Sequence, residues 1–419
     1  MTALGFLLPG VVAGQELPFA HYTPASDRTP LPSAEVIRTY QDRDGYLWFV
    51  IFSSGIVRYD GHSFETYTIS DGLRDLAVWE IVEDRSGRLW VGSNAGLVVS
   101  ERPLGEYPPG ERIRFVVSVG GVDLIDTLIN RNRLVADARG RVWAGTSSTG
   151  IVRYHVASDG DSIRTTCDTL TTDPHGEGKN ATVRSIAVRR DGSVWASIGG
   201  GMLLEFRDDT STVSAISQES GLPTQSITTL YESPRGVLWG GCRNGLIWRL
   251  DETSDTRRVV TVNERLSASI AAMLETSDST LWVASDGAGV LTLDPAHPER
   301  ASPITRADGL LSDNVHHVQL DREGSLWFSQ SGGASKLRTN YEAFRNYTAA
   351  PRSDVPSTLP SPAVNVVIPP AATNYSALWL GTTESGVVAI RADGTVSILD
   401  VEQGLRNNWV NGLVFDGAG

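Results

Sequence analysis

Cysteine is scarce in this chain: Cys167 and Cys242 are the only two among 419 residues. They lack metal-ligand spacing, which excludes a cysteine metal site, and the sequence leaves open whether they pair. No run of about 18 or more apolar residues occurs, so this segment carries no membrane-spanning helix. Positive charge is in deficit. Lys+Arg number 36 against Asp+Glu 49, a formal net charge of -13, and such a field repels nucleic acid and anionic lipid. Walker, Rossmann and zinc-protease motifs are missing. Of seven histidines only His316 and His317 adjoin, and neighbours on a strand face opposite ways, so they do not converge on one metal. Asp159-Gly160-Asp161 is followed by no further oxygen ligands in a calcium-loop order. Gly145-Thr146-Ser147-Ser148-Thr149-Gly150 has no strand-to-helix context for a nucleophile turn. No catalytic residue, metal site or cofactor is expected.

What is present is a repeat. Trp48, Trp90, Trp143, Trp195, Trp239, Trp282, Trp327 and Trp379 share one local frame, at successive spacings of 42, 53, 52, 44, 43, 45 and 52 residues. A period of roughly 40 to 50 residues signals one supersecondary unit stacked many times. In the second unit Val78 to Glu83 is strand-like, Asp84-Arg85-Ser86-Gly87 turns the chain, and Arg88 to Gly92 runs back. The Asp can accept backbone N–H bonds across the turn, and the Gly can take positive φ. The turn recurs as Asp42-Arg43-Asp44-Gly45, Asp137-Ala138-Arg139-Gly140 and Asp321-Arg322-Glu323-Gly324, and more weakly at Arg190-Asp191-Gly192 and Ser233-Pro234-Arg235-Gly236. A third strand such as Ile56-Val57-Arg58-Tyr59 and a fourth, Phe64 to Thr68, complete a four-stranded blade. The 42 Gly and 20 Pro are spread along the chain, as an all-β protein with many turns requires. The tryptophans are expected to wedge between blades.

Phe19-Ala20-His21-Tyr22-Thr23 matches Phe64 to Thr68 and Phe344 to Thr348. The first copy precedes any complete blade, and the natural place for an orphan outer strand is the last blade of a closed ring. Seven of the tryptophans, Trp48 to Trp327, lie between the first and third copies. The expected fold is therefore all-β: a seven-bladed β-propeller of four-stranded blades over residues 15–340, followed over 341–419 by the first blade or blades of a second, incomplete propeller. Leu4 to Val12 is a short apolar run, and small residues precede Gln15. Residues 1–14 are expected to be a signal peptide despite the missing basic segment, and the chain to be periplasmic or otherwise extracytoplasmic.

Asp71-Gly72-Leu73, Asp84-Arg85-Ser86-Gly87, Leu89-Trp90-Val91-Gly92, Gly96-Leu97 and, in the first unit, Gly55-Ile56-Val57-Arg58-Tyr59-Asp60-Gly61 together resemble the two-component regulator propeller repeat of bacterial sensor proteins. The units around Trp195, Trp282 and Trp379 lose parts of the turn. The resemblance implies a periplasmic sensor region, commonly two seven-bladed propellers ahead of a small β-sandwich, a membrane helix and a histidine kinase or another output. Several members recognise breakdown products of polysaccharides. Kinase motifs are not found here, so an output domain is expected beyond residue 419, and a dimer, if one forms, through those C-terminal parts.

Loops leading into each innermost strand surround the channel on one face of a propeller and vary where the framework does not. Here they read Arg74-Asp75-Leu76-Ala77 before Val78-Trp79, Pro223-Thr224-Gln225-Ser226, Leu311-Ser312-Asp313-Asn314 before Val315-His316, and Arg406-Asn407-Asn408-Trp409. A carbohydrate site needs amide, carboxylate and guanidinium partners for hydroxyls and an aromatic face for the ring. Arg74, Asp75, Trp79, Gln225, Asp313, Asn314 and His316 are the candidate ligand-binding residues, with Trp409 in the later unit. The expected partner is a small ligand, an oligosaccharide by preference, neutral or weakly charged given the charge of -13 unless arginines cluster locally. The competing readings are a glycan lyase or hydrolase with acid and base on the same loops, and a scaffold that binds another protein across that face.

Overall fold

The computed structural model describes residues 17–338, apart from 27–29, 120–121, 125–130, 132, 160–161, 174–179, 200, 208–209, 218–220, 253–256 and 264–265, and residues 363–414, apart from 369–376 and 392–394. The expected signal peptide and the third Phe-x-x-Tyr-Thr copy lie outside the described residues. These two stretches belong to separate compact units. Among the described residues, regular structure is strand, with short 3₁₀ turns, and it assembles into eight four-stranded antiparallel sheets and one short hairpin.

The Trp90 blade shows why the sequence folds this way. Val78–Glu83, Leu89–Ser93, Gly96–Ser100 and Phe115–Val116 pair in chain order. Asp84 N–H donates to Arg88 O at 2.9 Å and Gly87 N–H to Asp84 O at 3.0 Å, which closes the first hairpin. Gly87 sits at φ 89°, a left-handed conformation that side chains strain to adopt. The Asp84 carboxylate is buried, and Oδ1 accepts from the backbone N–H of Ser86 at 2.8 Å and Arg88 at 3.1 Å. Its other oxygen does something the sequence reading missed: Oδ2 accepts the Trp90 indole N–H at 2.7 Å. The same bond joins Asp42 to Trp48 (2.8 Å), Asp137 to Trp143 (2.9 Å) and Asp321 to Trp327 (2.8 Å). Each turn is thus tied to its tryptophan six residues on.

Where the Asp is replaced, the bond lengthens or vanishes. Trp195 turns to Ser193 Oγ at 3.2 Å and Trp282 to Thr276 Oγ1 at 3.3 Å. Ser233 accepts only the turn amides, and the buried Trp239 Nε1 has no hydrogen-bond partner. A serine side chain has one oxygen, and that oxygen is spent on the turn.

Each indole packs on the next sheet. Trp48 clusters with Val78, Ile81 and Leu89 of the Trp90 blade, Trp90 with Leu134 and Val142, Trp143 with Val183 and Val194, Trp195 with Leu230 and Leu238, and Trp239 with Ile270 and Leu281. Trp282 lies 5.9 Å from the Phe328 ring, and Trp327 packs on Val36 and Phe49 of the Trp48 blade. The innermost strands likewise touch one another in succession, and Val315–Leu320 returns to Val36–Gln41. The seven sheets of residues 17–338 therefore meet in a closed cycle.

Closure depends on the orphan strand. Phe19–Tyr22 pairs antiparallel with Gly333–Arg338, with Phe19 opposite Leu337 and Tyr22 opposite Ala334. The Tyr22 ring lies 5.0 Å from Trp327, 5.7 Å from Tyr59 and 6.4 Å from Phe64, so it bridges the last sheet to the first. In the second unit, Val364–Ile368, Ala377–Thr382, Val387–Arg391 and Val396–Leu399 form a sheet of the same order, with Trp379 on its second strand. The cysteines, left open by the sequence, are unpaired: Cys167 is exposed on an outer strand, whereas Cys242 is buried. Burial pushes the Cys242 thiol up to about 11, which leaves it protonated and unreactive at neutral pH.

Two outcomes follow from this packing. Asp84→Ala strands the Trp90 indole and two turn amides in the core, at a cost of about 3 kcal/mol, whereas Ser233→Asp supplies Trp239 with its missing acceptor and stabilises by about 1 kcal/mol. Guanidinium unfolding of the two variants beside the parent measures both signs. Deleting residues 17–23 uncovers the edge of Gly333–Arg338 and strips Tyr22 from Trp327, so the unit of residues 17–338 is expected to lose stability as a whole. Calorimetry reads this as one transition moved down. A parent-like main transition with a small local one beside it contradicts ring closure by this strand.

Candidate functional site at the channel mouth

In residues 17–338 the innermost strand of six of the seven blades carries a β-bulge at its start. The pairing register skips Ile37, Trp79, Arg184, Thr228, Ala271 and His316. A bulge leaves one residue out of the ladder and re-aims its side chain. The repeat has thus created one framework position, at the same end of each of these six blades, where the side chain is released from sheet pairing. Arg184, Thr228 and Ala271 line a cavity of about 280 Å³, together with Arg131, Arg133, Arg243 and Asp286. These residues come from or just before the inner strands of successive blades, and Arg243 and Asp286 come from the ends of second strands.

His316 occupies the bulge of the last blade and is held from two sides. Nε2 lies 2.7 Å from Glu35 Oε1 and Nδ1 lies 2.9 Å from Asp286 Oδ1. Ser331 Oγ donates to the same Glu35 oxygen at 3.0 Å. Arg131 reaches Asp286 with both terminal nitrogens, at 3.3 and 3.2 Å. Arg131 precedes the Trp143 blade and Asp286 ends a strand of the Trp282 blade; these blades do not adjoin, so the pair spans the mouth. Burial raises the Asp286 carboxyl, but the His316 bond and the Arg131 charge outweigh it, and the group is held below the ordinary carboxylate range. It is an anion at neutral pH.

The residues picked from sequence divide into three groups. His316, Asn314 and Asp313 stand together: Asn314 bridges to Asp286 through its backbone, and the Asp313 carbonyl accepts from Gly287 and Gly289. The Asp313 carboxylate caps Arg306 N–H at 2.8 Å. Trp79 forms a second cluster, its ring 5.1 Å from Phe52 and its indole N–H donating to Asn94 Oδ1 at 2.7 Å. None of the seven candidates is among the residues that line the cavity. Arg74 donates to Ala95 O and Leu124 O, Asp75 caps Ala77 N–H, and Gln225 is exposed. Trp409 is exposed in the second unit. Sequence reasoning missed Glu35, Asp286 and the four arginines. Glu35 precedes the first inner strand as Asn314 precedes the last, so its place in the repeat was a signal for it.

His317, beside His316, faces the opposite way and is buried, with Nδ1 unpartnered. Burial, and then the charges of Arg38 and Arg131, hold its imidazole well below the ordinary value. The folded chain keeps His317 neutral while the unfolded chain takes up a proton below about pH 6.5, so stability falls as pH drops through that value, by up to about 1.4 kcal/mol per pH unit. Melting temperatures between pH 7.5 and 5 are expected to decline in the parent and to decline less in His317→Gln; equal slopes contradict this.

Residues 72–95 match the family model described as two component regulator propeller. They run from the turn before the Trp90 blade to the end of its second hairpin turn. No curated protein matches the chain. Among solved structures, it is similar to an extracellular domain assigned to a hybrid two component system of B. thetaiotaomicron, at 18% identity and TM-score 0.62, covering 94% of this chain and 50% of that one. A second such domain from the same organism aligns at 16% identity and TM-score 0.58, over 91% of this chain and 47% of that one. Virginiamycin B lyase from Staphylococcus aureus, solved in catalytically inactive form with quinupristin, aligns at 13% identity and TM-score 0.55, over 77% of this chain and 99% of that one. The chain spans about half the length of the first two. At these identities the likeness is one of fold. The chain has the fold of a β-propeller, and its residues 72–95 match the two component regulator propeller model.

Proposed function

We propose that this chain is the extracytoplasmic, ligand-binding part of a bacterial two-component-type signalling protein, that it is not itself an enzyme, and that it takes a glycan-derived ligand at the channel mouth of residues 17–338. The observation that carries this reading is the bulge position. One site in the framework, repeated at one end of the ring, holds Trp79, Arg184, Thr228 and His316 in different blades, with Ile37 and Ala271 in two others, while the tryptophan behind it is the same in every blade. Packing needs would produce the same side chain each time; recognition of one asymmetric molecule calls for different ones. The fold shared with extracellular domains of hybrid two component systems supports the sensing role and the location. The short apolar run at Leu4 to Val12 supports export. On this reading the sheet around Trp379 begins a second propeller.

One observation favours a lyase as the second reading. His316 sits between the carboxylates of Glu35 and Asp286, a set of groups able to move a proton, on a fold also found in virginiamycin B lyase. Calorimetric titration with neutral and acidic oligosaccharide fragments separates the two. Saturable binding without product, weakened about tenfold in Trp79→Ala or His316→Ala, is expected; loss of one buried aromatic or hydrogen-bonded contact is of that size. Product that accumulates with the parent and not with His316→Ala makes the chain an enzyme, and unchanged affinity in both variants removes the mouth as the site.

A further inference from the structure

The arginines at the mouth have a chemistry of their own. Arg131, Arg133, Arg184 and Arg243 line the cavity against one acid, Asp286, and Asp286 is already engaged by Arg131 and His316. Arg133 is buried to 6% exposure, its Nε has no hydrogen-bond partner, and its Nη1 donates to Ser147 Oγ at a long 3.4 Å. The Nε of Arg184 is likewise buried without a partner. Burial and the neighbouring charge of Arg184 push the Arg133 guanidinium down to about 10, so it remains charged at neutral pH. A buried cation set beside another cation costs stability unless an anion arrives to pair with it. In a chain with net charge -13, acids to quench the cluster were abundant, and the described residues place none on Arg133 or Arg184.

We propose that this cavity is an anion site, and that Arg133, Arg184 and Arg243 grip the carboxylate or sulfate group of an acidic sugar. The guanidinium fork matches the two oxygens of a carboxylate or sulfate and holds them in a fixed orientation. A volume of about 280 Å³ is at the small end of ligand pockets, roughly 300–1,000 Å³, which suits one sugar ring with its charged substituent. The expectation of a neutral ligand, drawn from overall charge, gives way here. Charges further than about 8 Å are screened at physiological salt, so the local arginines set the field inside the mouth. This inference rests on the reading of the mouth as the ligand face and specifies the class of ligand.

The test uses the whole 419-residue chain, three probes at constant ionic strength, and two readouts. Sodium sulfate and D-glucuronate are expected to raise the melting temperature and to bind in calorimetry, and D-glucose to do neither. Arg133→Gln and Arg184→Gln each weaken anion binding at least about tenfold, the scale of one charge-assisted bond. Without ligand both variants are expected to melt at or above the parent, because a repelling, desolvated cation has gone. Arg243→Gln, at an exposed position, keeps the test decisive if substitution of the buried Arg133 or the half-buried Arg184 impairs folding. Binding of both anions means that the charged group alone suffices, and binding of glucuronate alone means that the sugar ring adds contacts; either supports the site. No response to either anion, or full anion affinity in the Arg133→Gln/Arg184→Gln double variant, overturns it. A neutral glycan that binds the parent and the double variant alike, but loses affinity in Trp79→Ala, overturns the anion site and leaves the ligand face standing.

Discussion

The bond from a buried aspartate to the indole six residues later is the interaction on which this structure depends. It uses the two oxygens of one carboxylate for two jobs. One oxygen closes the hairpin turn through backbone amides, and the other fixes the orientation of the side chain that fills the seam with the next blade. Local and long-range structure are thereby joined through a single side chain. A desolvated carboxylate is costly alone, but one whose two oxygens both accept hydrogen bonds in a connected network can be worth more than the sum of isolated bonds. Four blades use it outright; in the Trp239 blade, which lacks it, the buried indole N–H has no acceptor.

Because seam and turn are settled at one end of each blade, the other end is free to vary. In six of the seven blades of residues 17–338 the bulge takes one residue of the inner strand out of the ladder, and three of those residues, Arg184, Thr228 and Ala271, line the cavity at the mouth. The result is a division of labour: a rigid frame whose stability comes from repeated packing, and a mouth whose side chains are poorly matched to one another. Arg133 beside Arg184 is a local conflict in an otherwise consistent chain, and such conflicts in folded proteins mark functional positions. Structural need alone would have placed an acid there.

The frame was legible in the sequence because it repeats. The tryptophan period, the Asp-x-x-Gly turns and the matching Phe-x-x-Tyr-Thr segments each state the same unit several times, and the pairing of Phe19–Tyr22 with Gly333–Arg338 follows from the one segment without partners. The mouth was only partly legible. His316, Asn314 and Trp79 were singled out because they lie at or just before the start of inner strands, and they stand beside the cavity residues or in a separate cluster rather than in the cavity lining. Asp286 and Arg243 were not, because they end second strands, and Arg131 meets Asp286 across 155 residues, a distance that only ring closure removes. The indole bond was missed for a different reason: the aspartate already had a sufficient role in the turn, and a second role leaves no trace in spacing.

A crystal structure of the chain grown with D-glucuronate tests the account most directly. The account requires electron density for the sugar inside the mouth, its carboxylate within hydrogen-bond distance of Arg133 or Arg184, with the seven seams and the Asp–Trp bonds unchanged. Density on the opposite face of the ring, or between other groups while the arginines stay unpaired, would contradict it.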